Sequence, residues 1–328
     1  MAEAIRKIDI DEIEKRLSNL EFTPSPIDFE AIKQNYIKKI GNGKVILKLK
    51  ASENIGLGHL SRMITLGWIL KDAKTDLIFA INDFEYAKER LKREGFGFEV
   101  NGFGSNEEFI DFLIDKRKPE VIVVDEKYQY NADDIRRWQK QTRFISLDFI
   151  GQGYEVCDRI IMPNAHFEEE KYPTFNNIVW GWDWVLINKE VLKLKPKENL
   201  PKKVDSIVVT TGGSDPSGML FKFLNWLEGC KREVLILIGD AFKHKDSLKD
   251  LNLPDNFKIL PYHPSKLLKG DVAIATFGVT VYELIYLNVP FVCVGHTKEN
   301  QEGCRILSKR SDTLSVLNFN KEVEMWKK

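Results

Sequence analysis

Residues 44–62 read KVILKLKASENIGLGHLSR, and residues 206–220 read SIVVTTGGSDPSGML. Both pass from an apolar strand through a loop of small residues into a helix. In open α/β sheets such loops lie at the carboxyl ends of strands, where ligands bind. Two openings of this kind in one chain predict two Rossmann-like domains.

The flanking sequence supports this. After the first opening come a strand (TDLIFAI), two helices (DFEYAKERLKREG, EEFIDFLIDKR), the apolar strand VIVVD ending in Asp125, a helix (DDIRRWQKQ) and the strand RFISLD. After the second come the helix GMLFKFLNWL, strands EVLILIG and DVAIAT, the helix VTVYELIYLN, the strand PFVCVG and the helix ENQEGCRILSK. Strands alternating with helices predict parallel sheets, and runs such as VIVV suit strands buried on both faces. The expected organisation is a helical arm (1–43), an N-terminal domain (44–190) and a C-terminal domain (203–328). The lysine- and proline-rich segment 192–203 is the linker candidate. The arm either packs on the domain behind it or docks a partner, for instance in a homodimer. The ending FNKEVEMWKK reads as a short amphipathic helix able to cross back over the first domain.

The chain has 328 residues with 43% apolar content, enough for two cores, and its 49 basic and 49 acidic residues balance. That balance argues against a nucleic-acid partner. Four cysteines and five histidines are scattered without a C-x-x-C pair, so neither a disulfide framework nor a metal site is expected. The start MAEAIRKIDIDEIEKRL has interspersed charges rather than a signal-peptide core, and no long uncharged apolar run follows. A cytoplasmic protein without a membrane span is expected.

Several residues can carry chemistry. Gly56 and Gly58 let the backbone approach a ligand, and the helix start behind them offers N–H groups to an anion. Ser61 stands where a dinucleotide fingerprint needs its third glycine, so that motif is incomplete. His59, near a helix N-terminus, is either a neutral general base or a residue that caps the helix. Gly212, Gly213 and Ser214 either cradle a diphosphate or form a plain turn. Asp215 or Ser214 suits the following helix cap, and Pro216 its first turn. Thr280 can donate to a phosphate, and Glu283 can accept from ribose hydroxyls or sit as a first-turn carboxylate. Trp180, Trp182 and Trp184 alternate, so in a strand they would share one face, for sugar stacking or for the core. Asp125 ends its strand where a functional carboxylate is expected, with Tyr128 nearby.

The order G-x-G-H-x-x-R, V-V-D-x-x-Y, G-G-S-D-P, G-x-T-x-x-E, E-N-Q resembles the UDP-sugar hydrolase of pseudaminic acid biosynthesis and the related spore-coat polysaccharide proteins. That family is similar to MurG-type glycosyltransferases of the α/β GT-B fold, and the resemblance runs from about Lys44 to about Leu307. It implies two Rossmann-like domains facing a central cleft, a nucleotide-sugar substrate, and metal-independent release of nucleoside diphosphate and sugar without a cofactor. It makes His59 the base that activates water. The nucleotide falls to Gly212, Gly213, Ser214, Thr280 and Glu283, with Gly56, Gly58 and Gly278 as further backbone contacts. Arg62, Asp125, Tyr128, Asn164, Asn300 and Gln301 are the sugar-side candidates. A glycosyltransferase, or a nucleotide-sugar binding protein without catalysis, are the alternatives. The family's Arg-Ala-Asp is Lys50-Ala51-Ser52 here, and its Gly-Gly-Ser-Thr is Phe277-Gly278-Val279-Thr280. Phe277 is thus expected to narrow the phosphate site or change the nucleotide.

Overall fold

The computed structural model describes residues 7–310 and 313–318. They form two compact units: an N-terminal unit, Asp28–Leu186, and a C-terminal unit, Met1–Ile27 with Ile187–Lys328. The front segment is therefore divided rather than being one arm. Helix α1 (Ile10–Ser18) is capped by Asp9, which accepts from the N–H groups of Asp11 and Glu12. It buries Ile13 and Leu17 in the core of the C-terminal unit. Helix α2 (Phe29–Ile40), capped by Asp28, buries Ile32, Tyr36 and Ile40 in the N-terminal unit. Both apolar stripes are covered within the chain.

The N-terminal unit continues through β1 (Lys44–Leu49), α3 (Gly58–Asp72), β2 (Asp76–Ile81), α4 (Glu85–Arg93), β3 (Phe98–Val100), α5 (Asn106–Arg117), β4 (Val121–Asp125), α6 (Ala132–Trp138), β5 (Arg143–Leu147), β6 (Arg159–Met162) and β7 (Ile178–Trp180). The sheet order is β3-β2-β1-β4-β5-β6-β7, parallel throughout. Chain order reverses between β1 and β4, so the gap beyond their carboxyl ends is the switch point where such sheets bind ligands. Residues of β4 are buried along its whole length, as helices on both faces require.

The C-terminal unit adds α7 (Lys189–Leu192), β8 (Ser206–Thr210), α8 (Met219–Trp226), β9 (Glu233–Ile238), α9 (Lys245–Lys249), β10 (Phe257–Pro261), β11 (Val272–Thr276), α10 (Val279–Tyr286), β12 (Phe291–Val294), α11 (Lys298–Leu307) and β13 (Ser315–Asn318). Its sheet, β10-β9-β8-β11-β12-β13, is also parallel, with the reversal between β8 and β11. The segment expected as a linker is tied down at its start. Lys197 N–H donates to the Leu287 carbonyl at 2.9 Å, and Asn288 Nδ2 donates to the Lys197 carbonyl at 2.8 Å. The unit boundary lies ahead of it, at Leu186/Ile187. The amphipathic ending FNKEVEMWKK, residues 319–328, lies outside the described residues.

Candidate functional site

At the first switch point Leu49 pairs with Asp125, so the loop leaving β1 starts beside the carboxyl end of β4. The loop turns back on itself through Gly56, whose N–H donates to the Ser52 carbonyl at 2.8 Å and whose φ of 91° favours glycine. Helix α3 then begins at Gly58 without a side-chain cap, so its first N–H groups remain open to an anion.

His59 and Arg62, one turn apart on α3, converge on Asp125, which is fully buried. His59 Nδ1 lies 2.6 Å from Asp125 Oδ1. Arg62 makes a two-pronged pair, Nε to Oδ2 and Nη2 to Oδ1, both at 2.6 Å. The same Nη2 reaches Asp148 Oδ2 at 2.6 Å. Asp148 follows β5 and was not among the residues expected from sequence.

Hydrogen accounting sets the tautomer. Nη2 carries two hydrogens, which go to Asp125 Oδ1 and Asp148 Oδ2. Its 2.9 Å approach to His59 Nδ1 is then a contact between two donors that share one acceptor. Nδ1–H donates to Asp125, leaving the Nε2 lone pair for a proton. Burial would push the Asp125 carboxyl up, but the Arg62 guanidinium and then His59 overcome this and hold it at about 2. Burial works against the Arg62 charge too, but Asp125 and Asp148 more than offset it and keep the guanidinium protonated. Arg62 is therefore engaged by two carboxylates.

On the opposite face of the same strands, Lys48 Nζ donates to Glu126 Oε1 at 2.5 Å and to Asn106 Oδ1 at 3.2 Å, and Tyr130 hydroxyl donates to Glu126. Burial lowers the Lys48 ammonium, with Glu126 opposing it. The alternation KVILKLK hides this pair, because one lysine in an apolar strand gives no sign of its partner.

The other N-terminal candidates are not gathered on His59. Tyr128 hydroxyl donates to Glu107 on α5 at 3.0 Å. Asn164, just beyond β6 and buried, leaves Oδ1 without a hydrogen-bond partner. The three alternating tryptophans do not share a strand face. β7 stops at Trp180, and Gly181 (φ 111°) turns the chain into a 3₁₀ turn over Trp182–Trp184. Trp184 packs edge-on against Tyr36, and Trp180 Nε1 donates to Glu169 at 3.0 Å.

At the second switch point the loop after β8 takes a different course. Gly212 (φ 78°) and Asp215 (φ 46°) are both left-handed, and α8 starts at Met219, three residues beyond the expected Pro216. Asp215, buried, accepts from Met219 N–H at 2.8 Å and Leu220 N–H at 2.9 Å. Its carboxylate already occupies the anion position of that helix. Gly213 is pressed against Gly239, where an added Cβ would fall 2.5 Å from the Gly213 carbonyl oxygen. Ser214 is buried, and its carbonyl accepts from Lys243 N–H.

Beyond β11 the picture opens again. Gly278 precedes α10 without any side-chain cap, and Thr280 lies in its first turn. Glu283 is buried: Oε2 accepts from Tyr262 hydroxyl at 2.8 Å and Oε1 from Asn188 N–H at 3.4 Å. Burial raises the Glu283 carboxyl, and these two donors only partly offset it. The Phe277 ring is turned onto α11, where a Cβ on Gly303 would fall 2.3 Å from it. Its bulk is thus taken up by a glycine that sequence inspection passed over. Thr297 caps α11 through Asn300 N–H, and Gln301 Nε2 reaches the Gly295 carbonyl at 3.5 Å.

Among the described residues no group of three His, Cys, Asp or Glu side chains is placed to hold a metal ion, and no helix is long and apolar enough to cross a membrane.

Two parallel sheets of this order, each with its loops at a switch point, define the fold as α/β of the GT-B type. Known structures agree. The chain superposes on the spinosyn rhamnosyltransferase SpnG with a TM-score of 0.56 at 12% identity, covering 80% of this chain and 84% of that one. On MnaA from S. aureus with UDP the TM-score is 0.54 at 12% identity, covering 87% and 88%. On MurG from Acinetobacter baumannii it is 0.52 at 12% identity, covering 81% and 83%. In sequence, the chain is 26% identical over 289 residues to the uncharacterized protein MJ1062 of Methanocaldococcus jannaschii. That match covers 80% of this chain but 57% of the relative, so the chain spans little more than half of its length. No family model matches the chain.

Proposed function

We propose that the chain is a nucleotide-sugar hydrolase in which His59 activates water. The observation that carries this is the His59–Asp125 pair at the β1/β4 switch point, with Nδ1 engaged at 2.6 Å and Nε2 left as the base. Nε2 takes a proton from water as its oxygen bonds to the anomeric carbon. The bond from that carbon to the phosphate oxygen breaks, and its electron pair leaves with the nucleoside diphosphate. The C-terminal unit is assigned the nucleotide. The uncapped start of α10 with Thr280 suits a phosphate, and the Glu283 carboxylate retains lone pairs for ribose hydroxyls. Asn164 is a sugar-side candidate by the motif resemblance. MnaA, similar in fold, was solved with UDP, which favours uridine. A cytoplasmic role in surface or spore polysaccharide synthesis rests on the motif resemblance.

The second reading is a glycosyltransferase, favoured by the likeness to the rhamnosyltransferase SpnG. The same base would then deprotonate an acceptor hydroxyl. Incubation with UDP-, dTDP-, GDP- and CMP-sugars, with and without acceptors, separates the two by mass spectrometry. Free sugar without acceptor, lost by about a thousandfold in His59→Ala, is the expected result. Product only with acceptor would move the assignment to transfer, and undiminished turnover by His59→Ala would remove the base role.

A further inference from the structure

The charges around His59 do not balance as a simple dyad would. Arg62 meets Asp125 through two hydrogen bonds, so within that pair the carboxylate charge is cancelled. A cancelled pair gives little support to an imidazolium. Asp148 adds a second carboxylate on the same guanidinium, at 2.6 Å from Nη2. The three groups together carry one net negative charge. Tyr36 of α2, also packed near them, is a neutral hydroxyl that donates to the Trp184 carbonyl at 2.7 Å.

Asp148 also sits in a left-handed backbone conformation, φ 60°, that non-glycine residues seldom adopt. Its N–H is held by the Ile161 carbonyl at 2.9 Å and its carboxylate by Arg62. A strained residue tethered at both ends beside a reactive group is the kind of place where strain is kept for function.

We propose that Asp148 is a positioning residue for His59, acting through Arg62: it supplies the negative charge that the Asp125–Arg62 pair has cancelled, so that an imidazolium can form when His59 takes a proton. The proton moves from water to Nε2, and the cluster with its imidazole passes from one net negative charge to zero. This deepens the hydrolase proposal and rests on His59 being the base.

The test uses the full chain with ¹⁵N-labelled histidine, with the His59 ring signals assigned by their loss in His59→Gln. In Asp148→Asn, which keeps an acceptor oxygen but removes the charge, the midpoint of the His59 titration should fall by about one pH unit or more. The Nδ1–H tautomer should persist, because Asp125 still accepts from it. Asp148→Glu should restore the midpoint, and Asp148→Ser serves in place of Asn if that variant does not fold. With a sugar donor, Asp148→Asn should lose about tenfold in kcat with KM within about twofold, and its acidic limb should move to lower pH. An unchanged midpoint in the folded Asn or Ser variant would overturn the proposal. The titration needs no substrate. A lowered midpoint in a chain that hydrolyses no donor would therefore sink the hydrolase reading and leave the role of Asp148 standing.

Discussion

The two strand–loop–helix openings look alike in sequence and differ in what closes them. After β1 the helix starts uncapped, and the nearest carboxylates, Asp125 and Asp148, are engaged with Arg62 and His59. After β8 the loop supplies its own buried carboxylate, Asp215, which takes two N–H groups of α8. One opening keeps its helix dipole available and places a titratable ring there. The other satisfies its helix internally, and in that unit it is α10 that starts without a side-chain cap. Small residues in a βα loop therefore permit a ligand without promising one. The deciding feature is whether a local acid reaches the helix N-terminus first.

The difference is sharpest at Arg62. Arg62→Ala would leave the buried Asp125 carboxylate without its cationic partner, with only the His59 Nδ1–H donating to it, at a cost of about 3–5 kcal/mol by denaturant unfolding. The sign with pH follows from the depressed Asp125 carboxyl. Its stabilisation is present above the ordinary carboxylate value near 3.8 and is lost as pH falls through about 2. In the variant burial is no longer overcome, the carboxyl is no longer depressed, and the deficit against the parent should shrink as pH falls into the carboxylate range. A variant as stable as the parent would show that the first opening is held by other contacts.

A smaller effect is expected at the second opening. Asp215→Ala should cost about 1–2 kcal/mol through two lost cap bonds and leave UDP affinity within about twofold, read by calorimetry. Thr280→Val should change stability little and weaken UDP binding about tenfold. If instead Asp215→Ala weakens UDP and Thr280→Val does not, the nucleotide belongs to the β8 loop and the contrast between the openings fails.

The smallest effect concerns Glu283. Burial raises its carboxyl, so the folded state holds its proton longer than the unfolded chain. Stability from this group is greatest below the ordinary value near 4.5 and declines as pH rises through the raised one. Glu283→Gln should therefore gain on the parent in thermal melts as pH rises from about 4.5, by less than Asp215→Ala loses. Its UDP binding should weaken through the lost ribose acceptor. A gain that shrinks with pH would contradict the buried-charge account.

Much of the fold was legible in the chain itself. Apolar runs flanked by small-residue loops marked β1, β4, β8, β11 and β12, because strands buried on both faces must be apolar throughout. His59 and Asp125 could be singled out from their places at a helix and a strand end, and Arg62 from the motif resemblance. The short strands β3, β7, β10 and β13 were not legible, since three to five residues pair only because a neighbouring edge is already there. Nor was the division of the front segment between two cores, because an amphipathic stripe does not say which core covers it. Only the tertiary structure decided that Arg62 binds two carboxylates, that Asp148 belongs with His59, that Asp215 closes α8, and that Gly303 makes room for Phe277. Local sequence determines backbone periodicity and turn chemistry within a few residues. Charge pairing and close packing join positions tens of residues apart, and their energies exist only once the sheets have brought those positions together.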